Sequence, residues 1–308
     1  MNMQVSAAVL QSREYPEANI TKSGIEFEFS RQLRVRYDRA TRSIWSHWAP
    51  LPRPCFNPGL LADIRAYYDF LAASSSRVEC YGEECLIEYV VLASATPGVF
   101  NLGGDLDLFK QLIDGRDQAG LLRYGRACID VLYRNYVGHD LPVTTISLVQ
   151  GECLGGGFEA ALSSDLIIAE KSSRFGFPEI LFNLFPGMGA YSFLERKIGQ
   201  ARAEQLITSG RIYSAEEMHA LGVVDELTED RQGEAAAVRL VTHRQRSRNG
   251  LAALAAVRRR VHHVQFSELL DVVRIWADAA LRLTSRDLKL MQRLVSRQNG
   301  LGEAQAVH

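Results

Sequence analysis

Three short apolar runs constrain the fold of this chain more strongly than any other feature of its sequence. They span residues 86–93, 144–149 and 166–169. Their length and their content of branched apolar residues are typical of buried strands. A helical pattern at residues 119–137 separates the first two runs, and a glycine-rich segment that opens a further helix follows the second. Strands that alternate with helices predict an α/β fold with parallel strand pairing.

The N-terminal third predicts a hairpin and a helix. Residues 33–37 and 43–48 have strand patterns on either side of a short polar turn, which is the pattern of a β-hairpin. Residues 58–75 carry apolar side chains at helical spacing and begin with a proline, which suits a first helical turn. Asn57, directly before them, is a residue type that accepts hydrogen bonds from the first free amides of a helix.

The distribution of these patterns predicts three regions along the chain. Residues 1–30 are polar and irregular, so we expect a loose arm there. Residues 31–230 contain the alternating strand and helix patterns and form the predicted α/β core. Residues 231–308 show helical spacing only. Within them, residues 268–283 place apolar side chains on one face and charged ones on the other, as a helix packed on a core does.

The composition limits the classes of function. The chain has 308 residues and a formal net charge of −1, which gives no reason to expect a nucleic acid or a membrane surface as partner. It has no apolar run of the roughly 18 residues that a spanning helix needs, and its N-terminus does not resemble a secretory signal. The five cysteines are scattered, and Cys80 and Cys85 lack a second ligand pair. We therefore expect reduced thiols, no metal site and a cytoplasmic location.

Two glycine-rich junctions predict a site for an oxygen atom. Residues 155–157 are three glycines that follow a predicted strand and open a helix. The first amides of a helix lack internal partners and lie at its positive end, and glycine lets an oxygen approach them closely. Residues 103–104 form a second glycine pair at a similar junction. Two such junctions in one parallel sheet can direct two amides at one oxygen, such as the carbonyl oxygen of a thioester.

Two glutamates accompany these glycines. Glu159 lies about one helical turn beyond Gly156, and Glu179 follows a proline twenty positions later. Beside a polarised thioester, two carboxyl groups can act as base and acid. The sequence leaves open which of them takes which role. Each motif alone also fits a structural turn, and a glutamate in the first turn of a helix often only complements the helix dipole. Their order and spacing together favour a functional site.

Other titratable residues predict structural roles. Asp105 opens a helical pattern and suits a helix cap, while Asp165 starts a strand. His47 lies between two tryptophans of the hairpin and is expected to pack there.

The order of the motifs resembles the crotonase (enoyl-CoA hydratase/isomerase) superfamily over roughly residues 86–230. The resemblance implies a spiral of ββα units, a helical C-terminal trimerisation region and an acyl-thioester substrate without a cofactor or metal. It implies that Gly104 and Gly156 supply the oxyanion-hole amides and that Glu159 and Glu179 form the acid/base pair. The motifs are FNLGGD at 100–105, GECLGGGFE at 151–159, DLIIA at 165–169, FGFPE at 175–179, FPGMG at 185–189 and ALGVVDEL at 220–227.

Within that superfamily, residues 35–61 and 101–109 are similar to the synthases of diffusible signal factor. This resemblance implies dehydration of a medium-chain 3-hydroxyacyl group on acyl carrier protein, followed by hydrolysis of the thioester. The product would be a cis-2-unsaturated fatty acid used in bacterial quorum sensing. A long acyl chain needs an apolar pocket, although a tryptophan on an apolar helix face also fits an ordinary core. The implied substrate-binding residues are Leu102, Gly103, Met188 and Trp276.

The resemblance also implies partners and alternatives. We expect a homotrimer and an acidic carrier protein that docks on a basic face. Arginines of the helical region either form that face or are ordinary solvated side chains. One alternative function is a coenzyme A hydratase or isomerase of fatty-acid oxidation. Another is a non-catalytic scaffold that binds a sensor kinase or other signalling protein. The arginines are Arg244, Arg246, Arg248, Arg258, Arg259 and Arg260.

Overall fold

A computed structural model describes residues 17–21, 24–80 and 82–293, and its largest element is an eight-stranded sheet. The first four strands pair antiparallel. The remaining strands each pair in parallel with their neighbours, as the alternation of strands and helices predicts. In spatial order the strands are β1 (Glu17–Thr21), β2 (Gly24–Ser30), β3 (Leu33–Asp38), β4 (Ser43–Trp48), β7 (Tyr89–Ser94), β9 (Thr144–Val149), β11 (Leu166–Glu170) and β14 (Glu226–Thr228).

A second, four-stranded sheet and a small hairpin complete the strands. Each of β7, β9 and β11 leads into one strand of the second sheet, and helical segments follow. This is the repeat of ββα units that the family resemblance implies, and it confirms the expected fold class. The second sheet has the order β13 (Ile212–Ser214), β12 (Arg174–Gly176), β10 (Glu152–Leu154) and β8 (Val99–Asn101), and the hairpin consists of β5 (Arg77–Cys80) and β6 (Glu83–Leu86).

Ten helices have both ends within the described residues, and residues 285–293 are also helical. No helix in these ranges is long and apolar enough to cross a membrane. The ten are α1 (Pro58–Ser74), α2 (Leu106–Asp114), α3 (Gln118–Tyr136), α4 (Gly156–Leu162), α5 (Ala190–Ile198), α6 (Gln200–Ser209), α7 (Ala215–Ala220), α8 (Gly233–Arg244), α9 (Arg248–Val261) and α10 (Phe266–Ala280).

The parallel part of the large sheet is buried on both faces, which explains its continuous apolar runs. In β7, Val90 and Leu92 contribute to the main core, which also contains residues of α1, α3 and α10. Val91 and Ala93 point to the other face and join a smaller cluster that includes residues of α8. Helices therefore cover both faces of β7 and keep water away from the strand.

The structure corrects the predicted N-terminal arm. Residues 17–30 are not a loose arm, because they contain β1 and β2 at the edge of the large sheet. Ile25 and Phe27 point into the core while the glutamates between and after them point outward. Those glutamates make the segment look polar, although its apolar side chains alternate with the period of two that is typical of a strand. Residues 1–16 of the predicted arm lie outside the described residues.

The strand predicted at residues 86–93 is also corrected. It begins at Tyr89, because Leu86 ends β6 and pairs with Arg77 of β5. Apolar residues of two different strands are thus adjacent in the sequence.

Most other element predictions are confirmed. The Asn57 side chain caps α1 by accepting a hydrogen bond from the Leu60 N–H at 2.9 Å. The helical pattern after residue 230 is confirmed as far as residue 293, and residues 294–308 lie outside the described ranges.

Candidate active site

The N–H group of Gly104 points into a gap between two chain segments. The carbonyl oxygen of Gly103 accepts a hydrogen bond of 2.8 Å from the Phe56 N–H. Since the peptide unit is planar and trans, the N–H of Gly104 in the same unit points away from Phe56. A Cβ atom built on Gly156 would lie 3.5 Å from the Gly104 nitrogen. The two glycines predicted to form the oxyanion hole are therefore neighbours.

Gly156 is the first residue of α4, and its N–H group points out of the helix. The carbonyl oxygen of Gly155 accepts hydrogen bonds from the N–H groups of Phe158 and Glu159 at 2.9 and 3.0 Å. The N–H of Gly156 belongs to the same peptide unit and so points the other way. Neither this N–H nor that of Gly104 donates to a protein acceptor in the part of the chain that the structure describes. Two donors are thus available to one ligand oxygen.

Two further glycines keep this gap open. Gly103 has a φ of +95°, and a Cβ there would lie 2.8 Å from the Gly156 nitrogen. Gly155 has a φ of +52°, and a Cβ there would lie 2.5 Å from Oε1 of Glu179. Any side chain at either position would meet an unfavourable backbone conformation and occupied space.

Glu159 lies in α4, where its carboxyl group is held by two backbone amides. Its Oε1 accepts hydrogen bonds from the Met188 N–H at 2.7 Å and from the Ala190 N–H at 3.0 Å. The residue is only 1% exposed. This burial raises the pKa of Glu159 to about 7, although the two amides oppose the shift by favouring the ionised form.

Glu179 follows Pro178 in a short 3₁₀ turn, Pro178–Phe182. Its Oε2 is buried and has no hydrogen-bond partner among the described residues. Burial raises the pKa of Glu179 to about 8, and repulsion by the charge of Glu159 adds to the shift.

The two carboxyl groups therefore hold about one proton between them near neutral pH. Glu159 has the two N–H donors that stabilise a carboxylate, whereas Glu179 has a buried oxygen without a donor. The ionised form is favoured at Glu159 and the protonated form at Glu179 in the free protein. An ionised and a protonated carboxyl group in one site are the forms that a base and an acid would need.

One cavity of about 140 Å³ is lined by both oxyanion-hole glycines, Gly104 and Gly156, and by both glutamates, Glu159 and Glu179. Its remaining lining is mostly apolar and comes from segments that are far apart in the sequence. The predicted substrate-binding residues Leu102, Met188 and Trp276 also line it, and Gly103 lies beside it at the Gly156 nitrogen. The structure therefore brings all eight predicted site residues together, while their chemical roles remain predictions.

Helix α10 closes one side of the cavity with Trp276. The indole packs edge-on against Phe109 of α2, with 5.0 Å between ring centroids. It also covers Gly187, where a Cβ would lie 2.4 Å from the indole ring. The C-terminal helical region thus contributes directly to the site.

Sequence reasoning missed cavity residues on α2 and α3. Phe109, Tyr124 and Cys128 line the cavity, yet in the sequence they are ordinary apolar positions of amphipathic helices. One feature of the sequence could have pointed to them: two helical patterns directly follow the glycine pair at 103–104, so their apolar faces could lie near the site.

Several other titratable residues have structural partners. Asp105 caps α2 and forms an ion pair with Arg53. His47 stacks against Trp45 and lies 3.6 Å from a Glu234 oxygen. No group of three or more histidine, cysteine or carboxylate side chains that could hold a metal ion occurs within the described ranges.

The predicted basic face is partly occupied by internal ion pairs. Arg258 and Arg259 both bind Asp165, and Arg248 lies 3.1 Å from an oxygen of Glu88. These three arginines therefore hold the helical region on the core, which reduces their availability to a carrier protein.

Residues 81–279, which make up most of the chain, match the enoyl-CoA hydratase/isomerase family. The chain belongs to that family. It is 31% identical to rat mitochondrial methylglutaconyl-CoA hydratase over 169 residues, which is 54% of this chain and 51% of the relative. It is 44% identical to mevalonyl-coenzyme A hydratase SIDH of Beauveria bassiana over 82 residues, or 27% of this chain and 29% of the relative. The chain spans about half the length or less of these curated relatives.

Solved structures of the family share its fold. Pseudomonas aeruginosa DspI superposes with a TM-score of 0.65 at 21% identity, over 77% of this chain and 90% of DspI. Human mitochondrial delta3-delta2-enoyl-CoA isomerase gives a TM-score of 0.70 at 20% identity, over 87% and 98% of the two chains. At these identities the likeness concerns the fold alone.

Proposed function

We propose that this protein removes water from a 3-hydroxyacyl thioester, using Glu159 and Glu179 as its acid/base pair. The observation that supports the proposal is that both carboxyl groups and two unpaired glycine amides line the same apolar cavity. An apolar surrounding strengthens the interaction of fixed donors with a developing charge. It also raises both carboxyl pKa values to the range in which proton transfer is efficient near neutral pH.

In this mechanism the thioester oxygen accepts hydrogen bonds from the N–H groups of Gly104 and Gly156. The carboxylate of the pair removes a proton from C2, and the negative charge moves onto the thioester oxygen. The carboxylic acid of the pair then protonates the hydroxyl group on C3, which leaves as water while the C2–C3 double bond forms. The pair gains one proton and loses one, so its overall protonation is unchanged after the reaction.

The finer proposal is a medium-chain substrate on acyl carrier protein, followed by hydrolysis. A water molecule deprotonated by a carboxylate attacks the thioester carbon, and the thiol leaves with that proton. The free product would be a cis-2-unsaturated fatty acid that serves as a quorum-sensing signal. The apolar lining, which includes Met188 and Trp276, supports an acyl-chain substrate. The choice of carrier protein and the hydrolysis rest on the sequence resemblance of residues 35–61 and 101–109.

The main alternative is an enoyl-CoA hydratase or isomerase of fatty-acid oxidation. Curated relatives named as coenzyme A hydratases support it. A third reading, in which the fold is a non-catalytic partner of a sensor protein, has less support because both glutamates are held at the cavity.

One experiment separates these functions. A medium-chain 3-hydroxyacyl-carrier protein and the matching coenzyme A thioester are incubated with the protein, and the products are identified by mass spectrometry. Free cis-2-enoic acid from the carrier protein supports the finer proposal. A 2-enoyl-CoA that stays esterified supports the alternative, and no product from either thioester contradicts both enzymatic readings.

Variants of the two glutamates test the acid/base assignment in the same assay. Glu159→Gln and Glu179→Gln should each lower dehydration by about 10²–10⁴-fold, because each removes one proton-transfer group. Glu216→Gln is a matched control, since Glu216 is exposed on α7. Near-normal turnover by either active-site variant would remove that glutamate from the mechanism.

A further inference from the structure

We infer that Tyr124 is a positioning residue that helps to fix the direction of the Gly104 N–H group; this inference rests on the function proposed above. Tyr124 lies on α3, and its hydroxyl group connects the backbone of Asp105, directly after Gly104, to the backbone of Phe56. It accepts a hydrogen bond from the Asp105 N–H at 3.2 Å and donates one to the Phe56 carbonyl oxygen at 2.5 Å.

The hydroxyl group occupies a position within a short β-bridge. Phe56 and Gly104 pair as an isolated parallel bridge. On one side of the bridge the Phe56 N–H donates directly to the Gly103 carbonyl oxygen. On the other side, the Tyr124 hydroxyl stands between the Asp105 N–H and the Phe56 carbonyl oxygen. A tyrosine side chain thus supplies the second link of the bridge.

This arrangement anchors both peptide units that flank Gly104. The 103–104 unit is held directly by Phe56, and the 104–105 unit is held through Tyr124. Glycine has more backbone freedom than any other residue, so an unanchored Gly104 would sample several N–H directions. An oxyanion donor contributes most when its direction is fixed before the reaction. The Tyr124 hydroxyl adds to that fixation for one of the two donors, because it holds the peptide unit that follows Gly104.

The surroundings of Tyr124 keep the hydroxyl in its donor form and in place. Burial raises the pKa of Tyr124 well above its usual value, so the hydroxyl keeps its proton and can donate to Phe56. The ring packs edge-on against Phe109, with 4.9 Å between centroids. Phe109 in turn covers Gly104, where a Cβ would lie 2.6 Å from its ring. The ring contacts and the hydroxyl therefore both act on the same glycine.

Tyr124→Phe tests this inference, because it removes the hydroxyl and keeps the ring. We expect kcat for the 3-hydroxyacyl thioester to fall about 10–100-fold while KM changes less than about threefold, as for an interaction made mainly in the transition state. The second readout is the infrared stretching frequency of the carbonyl group in bound octanoyl-dethia-coenzyme A. This ketone has a methylene group in place of the sulfur, so it can be neither dehydrated nor hydrolysed. Its carbonyl frequency should fall on binding to the wild type, and Tyr124→Phe should lose at least about half of that shift.

Tyr67→Phe is the matched control. Tyr67 is a buried tyrosine of α1 whose hydroxyl has no hydrogen-bond partner among the described residues. Its loss should leave kcat and the carbonyl shift unchanged. A normal kcat and a full carbonyl shift in Tyr124→Phe would overturn the inference. If the wild type converts no 3-hydroxyacyl thioester, the proposed function fails, but the carbonyl shift of the unreactive ketone still decides the role of Tyr124.

Discussion

At the scale of single residues, the burial of Glu179 has a consequence for stability. Its pKa rises from an ordinary value of 4.5 to about 8, so the folded protein binds more protons than the unfolded chain between these pH values. The stability associated with the protonated carboxyl is fully present below about pH 4.5 and is lost as the pH rises through about 8.

We predict that Glu179→Gln stabilises the protein at alkaline pH. Glutamine has nearly the same shape and no charge to bury, so the variant should gain roughly 1 kcal/mol or more at pH 9 and little at pH 5. For a chain of 308 residues, 1 kcal/mol corresponds to about 1.5 °C in Tm. Thermal unfolding at the two pH values measures the effect, with the exposed Glu216→Gln as control. An equal Tm difference at both pH values would contradict the assigned pKa shift.

Gly103 offers a second prediction at this scale. Gly103→Ala would place a methyl group 2.8 Å from the Gly156 nitrogen and obstruct the oxyanion gap. Gly199→Ala is the control, because Gly199 also has a positive φ (+84°) but has no atom within 4 Å of its Cβ position. Both variants should lose stability of about 1 kcal/mol from backbone strain, whereas only Gly103→Ala should lower kcat, by about 10-fold or more. Steady-state kinetics and Tm together separate the two effects, and equal activity of the variants would show that the gap is not used.

At the scale of elements, one carboxylate binds two arginines near the C-terminal end of α9. Asp165 at the start of β11 accepts from Arg258 at 2.7 Å, from Arg259 at 2.5 Å and from the Thr145 N–H at 3.0 Å. Its side chain is only 5% exposed. Asp165 therefore joins the sheet to the helical region. This is a structural role, as the sequence predicts for it.

We predict that Asp165→Asn loosens α9. The substitution leaves two guanidinium groups without their anion and should lower the free energy of unfolding by about 1–3 kcal/mol. Trypsin cleavage in α9, which contains Arg258 and Arg259, should become faster. Asp271→Asn serves as control because its ion pair with Arg274 is largely exposed and contributes about 0–1 kcal/mol. Identical cleavage rates in the two variants would argue against the anchor.

The sequence predicts elements better than it predicts their contacts. The strand at 144–149 and the cap at Asn57 depend on local chemistry, so the pattern alone locates them. β2 was missed because its alternation contains glutamates, and the start of β7 was misplaced because the end of β6 is apolar as well. The site glycines and glutamates were found through motif order. Tyr124 was not found, because its role depends on Phe56, which lies 68 positions away.

At the scale of the whole molecule, α9 has an apolar side that the described residues leave exposed. Leu254, Val257 and Val261 are 63%, 56% and 69% exposed. They follow one another at helical spacing and so share one face. Large apolar side chains in such a row are typical of a surface that contacts another protein.

We predict that this face contributes to the expected homotrimer. Leu254→Glu together with Val257→Glu should shift the protein toward the monomer, because each copy would bury charge at the interface. Light scattering after size-exclusion chromatography measures the mass, and Leu181→Glu, a substitution at an exposed leucine outside α9, is the control. A trimer that persists in the double variant would place the contact elsewhere, and a monomeric wild type would contradict the expectation.

The bridge between Phe56 and Gly104 also affects the order of events during folding. The oxyanion gap lies between segments near residues 104 and 156, and the bridge to Phe56 together with the side chain at position 124 holds the first of these segments in place. The contacts between residues 56 and 104, between 104 and 156 and between 56 and 124 each close a loop of about 50 residues or more, and contacts of such high sequence separation form slowly because the chain must lose loop entropy first. Helices such as α1 and α3 need no such closure. During refolding, helical signal should therefore return before the ability to polarise a carbonyl group, which makes that ability a reporter of completed tertiary structure.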